Sequence, residues 1–278
     1  MSWWEAILLG IVEGVTEFLP ISSTGHLTVV EKLLGHTVDD PSITAFTAII
    51  QVGAMIASIV YFWRDIVAMA TAWFRGLFHA AARSDKDYRL GWAVIAGFIP
   101  TAVVALALQR FIEGPLRSLW AVVLGLVVWS VVMLLGDRLG KQNRGEDSIT
   151  VKDGVALGLI QSIALVPGVS RSGATISGGM LMGLDRVTAT RMSFFLGIPT
   201  LIASGLYEAA KEAKNIAAGA GWMATGIGTA VSFVVAYASI AWLLKYVSRH
   251  NFTAFVIYRL ALAALIVALL VAGIVTAV

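Results

Sequence analysis

Glu13 and Glu17 stand one helical turn apart in an otherwise apolar segment, and a cluster of hydroxyls, a glycine and a histidine, Ser22-Ser23-Thr24-Gly25-His26, follows directly after Pro20. An i,i+4 pair leaves one helix face, so both carboxylates project toward the same point. Two carboxylates beside hydroxyls and an imidazole form a set suited to acid–base chemistry, nucleophilic attack or cation binding. Ionisable groups at membrane depth are costly and are retained where they face a cavity, a partner or a substrate. The segment is therefore read as a site and not as a plain span. A second cluster, Pro167-Gly168-Val169-Ser170-Arg171-Ser172-Gly173-Ala174-Thr175, interrupts another apolar stretch and carries a single charge, Arg171.

The elements that must position these groups are set by composition. Of 278 residues, 58% are hydrophobic and 13% charged, and the mean hydropathy is +0.85. That balance belongs to an integral membrane protein. The start, Met1-Ser2-Trp3-Trp4-Glu5, lacks the basic region of a cleavable signal. With no cysteine in the chain, disulfides, thiolate metal sites and cysteine nucleophiles drop out together.

Continuous apolar stretches near 43–63, 90–109, 118–136, 190–207, 222–244 and 253–277 are each long enough to cross a bilayer, which gives six spans. Two further segments, 3–35 and 151–184, are broken in the middle by Pro, Gly and Ser. Each is expected to form a re-entrant helix-loop-helix, because its arms are short and its broken backbone needs protein or water around it. The two segments also match at an offset of 148: Gly10 with Gly158, Glu13 with Gln161, Ser22 with Ser170, Gly25 with Gly173 and Gly35 with Gly183. One broken hairpin plus three spans per unit inverts the second unit relative to the first. The expected fold is thus an all-α polytopic membrane protein, six transmembrane helices plus two re-entrant hairpins in an inverted-topology repeat. It forms one membrane domain over 1–278, divided into repeats 1–148 and 149–278. In such folds the discontinuous elements meet near the midplane, where Glu13, Glu17 and His26 should face Arg171.

Under that topology, the face with the 64–89 and 137–152 loops and the turns at 185–191 and 245–249 carries thirteen Lys and Arg. The opposite face carries five, Lys32, Arg110, Arg117, Lys211 and Lys214. The positive-inside rule makes the first face cytoplasmic and leaves both termini and the mouth of the first hairpin outside.

The stretch from Glu13 to His26, together with Pro167 to Thr175, resembles the undecaprenyl-pyrophosphate phosphatase family associated with bacitracin resistance in bacteria. The resemblance extends over essentially the whole chain in length, motif order and span count. It implies a protein of the bacterial inner membrane that removes the terminal phosphate of undecaprenyl pyrophosphate and so returns the lipid carrier used for peptidoglycan and other envelope polymers. The implied partners are a polyprenyl pyrophosphate lipid and membrane lipids, not nucleic acid, with a homodimer as one oligomeric option.

The residues suit that chemistry. Arg171 stays protonated and can fork onto two phosphate oxygens. Helix N-termini after the breaks, near Ser23 to Gly25 and Ser172 to Gly173, would add backbone N–H donors, and Ser22, Thr24, Ser170 and Thr175 are further candidate substrate contacts. Ser23 is the expected nucleophile with His26 as general base or acid, and the two roles can be exchanged because histidine also accepts a phosphoryl group. Glu13 and Glu17 would repel a phosphate unless a cation intervened, so Mg²⁺ or Ca²⁺ held by Glu13 with Glu17 shared is expected. The alternative is that Glu17 is protonated, or pairs with Arg171 and orients His26.

Plainer roles compete. Ser22 and Thr24 suit helix capping after Pro20, and Gly168 and Gly173 suit the backbone of the break. Glu13 and Glu17 could instead form a buried ion pair with Arg171. His36, His79 and His250 fall at span ends or loops and read as solvated, and most of the nine Trp fall near span ends as an interfacial belt. The glycines from Gly219 to Gly228 suit helix packing. A flippase or secondary transporter would share the inverted repeat, but transport needs no nucleophile. The acid-phosphatase-like lipid phosphatases carry Ser-Gly-His, whereas here Thr24 intervenes, no Lys-x6-Arg-Pro precedes it, and the only histidine after Arg171 is the distant His250.

Overall fold

The computed structural model describes residues 1–37, 40–112, 118–218 and 220–277, with the side chains at 109–112, 206, 208–210 and 212–218 excepted. Its regular structure is helical: α1 (Trp3–Thr16), α2 (Ser23–Leu33), α3 (Pro41–Tyr61), α4 (Trp63–Phe78), α5 (Lys86–Ile112), α6 (Leu119–Leu139), α7 (Val151–Ile163), α8 (Arg171–Leu181), α9 (Arg186–Ala218), α10 (Trp222–Val247) and α11 (Thr253–Val271). Six of these, α3, α5, α6, α9, α10 and α11, are long and apolar enough to cross a membrane. At 1.5 Å rise per residue, a helix of about 20 residues covers the ~30 Å hydrocarbon core. The six expected spans and a multi-pass membrane protein follow directly.

The helices α1, α2, α7 and α8 have 14, 11, 13 and 11 residues, each too short to cross alone. They form two pairs, broken between Thr16 and Ser23 and between Ile163 and Arg171. The breaks are built alike. Ser22 and Ser170 both hold φ 74°, a left-handed conformation that strains a residue with a side chain. Each offsets this by capping the helix that follows, Ser22 Oγ accepting from Gly25 N at 3.3 Å and Ser170 Oγ from Gly173 N at 3.2 Å. The equivalence extends outward: capping boxes open α1 at Ser2 and Glu5 and α7 at Thr150 and Asp153. Gly35 and Gly183 end the second helices of the pairs at φ 82° and 91°, values that only glycine adopts freely.

Packing crosses between the halves. The helix α1 lies on α10, while α7 lies on α5. Both crossings are made by glycine against glycine: a Cβ on Gly10 would stand 2.5 Å from the Gly228 carbonyl oxygen, and one on Gly158 would collide with that of Gly97. Close backbone approach through small residues is how apolar helices associate without a hydrophobic drive between them. Around the breaks, Phe18, Leu19, Val169, Phe194 and Trp129 belong to one buried cluster, and all of α8 but its ends is buried between α6 and α9.

Two expectations need adjustment. The 64–89 stretch is not a loop but α4, a 3₁₀ turn at Ala80–Ser84 and the first residues of α5. Arg64, Asp65 and Arg75 kept it out of an apolar window, yet Trp63, Val67, Phe74 and Phe78 form an exposed stripe along one face of α4, the pattern of a helix lying at an interface. His36 is not simply solvated, since its Nε2 lies 3.4 Å from Glu5 Oε1. Of the basic residues and glycines named above, Arg117 and Gly219, and the side chains of Arg110 and Lys214, lie outside the described residues.

Candidate active site

The two breaks deliver their functional groups from equivalent positions. Ser23 is the first residue of α2 and Arg171 the first of α8. A helix N-terminus presents free N–H groups and a partial positive charge, so both helix ends suit an anion. Glu17, on the C-cap of α1, joins them. Ser23 Oγ donates to Glu17 Oε2 at 2.7 Å, and Arg171 Nη2 donates to Glu17 Oε1 at 3.3 Å. One carboxylate thus links a hydroxyl from the first break to a guanidinium from the second.

Arg171 is held from several sides. Its Nη1 donates to Ser193 O of α9 at 3.1 Å, and its guanidinium lies 5.9 Å from the Phe18 ring centroid, within cation–π range. Gly197 makes room for it, because a Cβ at that position would collide with Nη1. Arg171 Nε is buried and has no hydrogen-bond partner. A buried donor left open beside two helix N-termini is ready for an added oxygen ligand. Ser172 Oγ donates to Leu19 O at 3.0 Å and lies 3.1 Å from Ser170 Oγ, tying the second break to the first. Thr175 Oγ1 donates to Ser193 Oγ at 2.6 Å, so Thr175 supports α8 against α9 from a buried position.

Glu13 is buried at 1% exposure, and its Oε1 accepts no hydrogen bond. An orphaned buried carboxylate oxygen near a second carboxylate is the donor chemistry a hard divalent cation takes, and Mg²⁺ is commonly held by one or two carboxylates plus substrate phosphates. Among the described residues no three His, Cys, Asp or Glu cluster to complete a protein-only site. The chemistry of Glu13 and Glu17 fits a divalent cation, whose remaining ligands would have to come from outside this carboxylate pair.

His26 makes its ring contacts with Ser22 and Tyr258, while the Ser23 hydroxyl goes to Glu17. Its Nδ1 lies 2.7 Å from Ser22 O and its Nε2 2.7 Å from Tyr258 Oη, with the two rings stacked at 5.5 Å. A carbonyl only accepts, so Nδ1 carries the proton and, in the neutral ring, Nε2 accepts from the tyrosine hydroxyl. Thr24 is exposed in the first turn of α2, and Gly25 is buried there with Val122 Cγ1 3.0 Å from where a Cβ would stand. Thus Ser23, Glu17 and Arg171 are brought together, Ser22, Ser170, Gly25 and Gly173 form caps, and His26 reaches a partner not foreseen.

Four residues at or beside this cluster escaped the sequence reading: Ser193, Ser130, Tyr258 and Arg259. Arg259 had a signal, being the only charge in α11. Ser193, Ser130 and Tyr258 had none, since hydroxyls are common in membrane helices.

Comparison with known proteins places the chain in a family. Residues 6–265 match the family described as bacitracin resistance protein BacA. Undecaprenyl-diphosphatase 3 of Frankia casuarinae is 54% identical over 277 residues, covering 100% of both chains. Undecaprenyl-diphosphatase of Cutibacterium acnes is 53% identical over 284 residues, again covering 100% of both, and that of Mycobacterium sp. (strain KMS) is 45% identical over 282. The chain belongs to the BacA family of bacitracin resistance proteins.

Proposed function

We propose that this protein hydrolyses undecaprenyl diphosphate to undecaprenyl phosphate and inorganic phosphate in the bacterial inner membrane, through a site shared by the two broken helix pairs. The relatives' names supply the substrate, and the observation that carries the site is the chain Ser23–Glu17–Arg171, at 2.7 and 3.3 Å.

In this account the diphosphate lies at the N-termini of α2 and α8. Arg171 holds oxygens of the terminal phosphoryl group, its open Nε adding a donor. Ser23 Oγ attacks the terminal phosphorus while its proton passes to Glu17 Oε2. The bond from phosphorus to the bridging oxygen breaks, and the lipid monophosphate leaves with that oxygen and with the proton from Glu17, which becomes a base again. Glu17 then deprotonates a water that attacks the phosphoserine phosphorus, and the Ser23 oxygen leaves with that proton as phosphate is released. Positioned general bases contribute ~10²–10⁴-fold, and donors aimed at developing charge a comparable factor. Glu13 and Glu17 are the residues that would hold a divalent cation, which when bound neutralises phosphate charge and stabilises the leaving group. His26, proton on Nδ1, fixes the first turn of α2 through Ser22 O, and its Nε2 remains the alternative phosphoryl acceptor once Tyr258 moves.

We also propose that the paired short helices are re-entrant hairpins in an inverted repeat. Support comes from their lengths, from the matched φ values at Ser22 and Ser170, and from the exchanged crossings of α1 on α10 and α7 on α5. An inverted repeat would place the two breaks at the midplane from opposite sides. The Lys and Arg count favours the 137–152 side as cytoplasmic, with the termini and the mouth of the first hairpin outside.

Phosphate release from undecaprenyl diphosphate by purified protein, with Ser23→Ala and Arg171→Ala, tests the function. Wild-type turnover lost in both variants is expected. Absence of wild-type turnover would overturn the activity, and retention of turnover by Ser23→Ala would overturn the nucleophile.

A further inference from the structure

Among the described residues Arg259 is the largest completely buried side chain, at 0% exposure, and it pairs with no carboxylate. A cation in the interior is costly unless every donor is used. Here the donors go to backbone carbonyls and to one serine hydroxyl. Nη1 donates to Pro20 O at 3.1 Å, and Nη2 to Gly168 O at 2.8 Å. Nη2 also lies 3.2 and 3.3 Å from Gly125 O and Leu126 O of α6, and Nε donates to Ser130 Oγ at 3.2 Å.

The choice of acceptors is informative. Pro20 lies in the first break and Gly168 in the second, so one guanidinium from α11 grips both. Pro20 is two residues before the strained Ser22, and Gly168 is two before the strained Ser170. These serines cap the helices that present Ser23 and Arg171. A carbonyl in a broken helix inside a membrane has no ladder partner and no water, and a rigid five-donor fork can satisfy several at once. Lysine, with a single nitrogen, cannot reproduce the fork.

We propose that Arg259 is a positioning residue for phosphoryl transfer, which clamps the two breaks together and sets the placement of Ser23 relative to Arg171. The proposal rests on the site described under Proposed function. Arg259 itself touches none of Ser23, Glu17 or Arg171. Its loss therefore acts on the alignment of groups that remain present, and a displacement of about 1 Å in such a site costs on the order of 10²-fold in rate.

The test compares wild type, Arg259→Lys and Ser130→Ala, purified as full-length protein, by steady-state phosphate release and thermal melting. Ser130→Ala removes the acceptor of Nε, together with the bond that Ser130 Oγ donates to Leu126 O at 2.6 Å, and lets the fork rotate. For Arg259→Lys, kcat should fall on the order of 10²-fold with KM changed less than about threefold. For Ser130→Ala a smaller fall in kcat, again at unchanged KM, is expected. A folded Arg259→Lys with wild-type kcat overturns the proposal, as does a fall confined to KM, which would mean substrate contact. If Arg259→Lys does not fold, Ser130→Ala decides alone: reduced kcat at a wild-type melting temperature supports positioning, and unchanged kcat refutes it. Inactive wild type would instead refute the site on which the proposal rests, so the two failures are distinguishable.

Discussion

Replacing Glu17 by glutamine removes one proton acceptor and one negative charge while keeping the side chain's shape. Glu17 is 6% exposed and accepts from both Ser23 and Arg171. The amide keeps a single oxygen, so it can accept from only one of them and turns an N–H toward the other. Deleting one partner of a well-formed buried ion pair costs about 3–5 kcal/mol. The Glu17–Arg171 contact is a single 3.3 Å bond, not a fork, and Arg171 keeps Ser193 O. The cost should therefore be about 1.5–3 kcal/mol, the range for one charge-assisted hydrogen bond. Activity should respond more strongly. Loss of the base costs ~10²–10⁴-fold, so kcat should fall by at least two orders of magnitude while the protein remains folded. Phosphate release in detergent, paired with a thermal melt, measures both. A folded Glu17→Gln within threefold of wild-type kcat would refute proton transfer to Glu17. A melting temperature lowered with activity intact would reduce Glu17 to a structural ion-pair partner.

Four other outcomes follow from the same geometry. Chelator should abolish turnover and Mg²⁺ or Ca²⁺ restore it, with Glu13→Gln shifting the metal titration to higher concentration; a metal requirement unchanged in Glu13→Gln removes that residue from the cation site. Gly197→Ala should push the Arg171 guanidinium aside and lower activity less than Arg171→Ala does; wild-type kinetics in Gly197→Ala would show that the pocket yields freely. Cysteines placed in 141–148 should be protected from impermeant thiol reagents in whole cells and one at Asp40 labelled, the reverse pattern inverting the orientation. At the 137–152 side, burial works against the Asp153 carboxylate, but hydrogen bonds from Arg144 and Thr150 outweigh it and hold its pKa below the ordinary carboxylate value. Its stabilisation is therefore present above that ordinary value and is lost as pH falls through the depressed one. The melting temperature of Asp153→Asn should converge on that of wild type in this acid range, and a constant gap at all pH values would count against the linkage.

Much of this architecture was legible because membrane insertion imposes long apolar runs. The six spans agree with helices that cross by length and composition, and Pro20 and Pro167 mark breaks that the backbone honours. The 148-residue offset extends beyond the residues used to find it, to the capping boxes that open α1 and α7, and the matched Ser22 and Ser170 share one positive φ. What stayed hidden depends on side-chain direction. Spacing put His26 beside Ser23, but the helical turn of α2 carries its ring toward Tyr258, 232 residues away in sequence. The helix α4 was hidden because its charges interrupt the apolar window without interrupting the helix. Arg259 was visible as a lone charge in α11, yet only the fold shows that its acceptors lie in both breaks.

In the proposed reaction Ser23, activated by Glu17 and facing Arg171, receives the phosphoryl group. Rapid quench of wild-type protein with undecaprenyl diphosphate, followed by peptide mapping, tests it most directly. Parallel acid and alkaline quenches preserve phosphoserine and phosphohistidine respectively. Acid-stable phosphate is expected on the peptide containing Ser23, built up further in variants slowed at the water step and absent from Ser23→Ala. Alkali-stable, acid-labile phosphate on His26, with turnover persisting in Ser23→Ala, would contradict it.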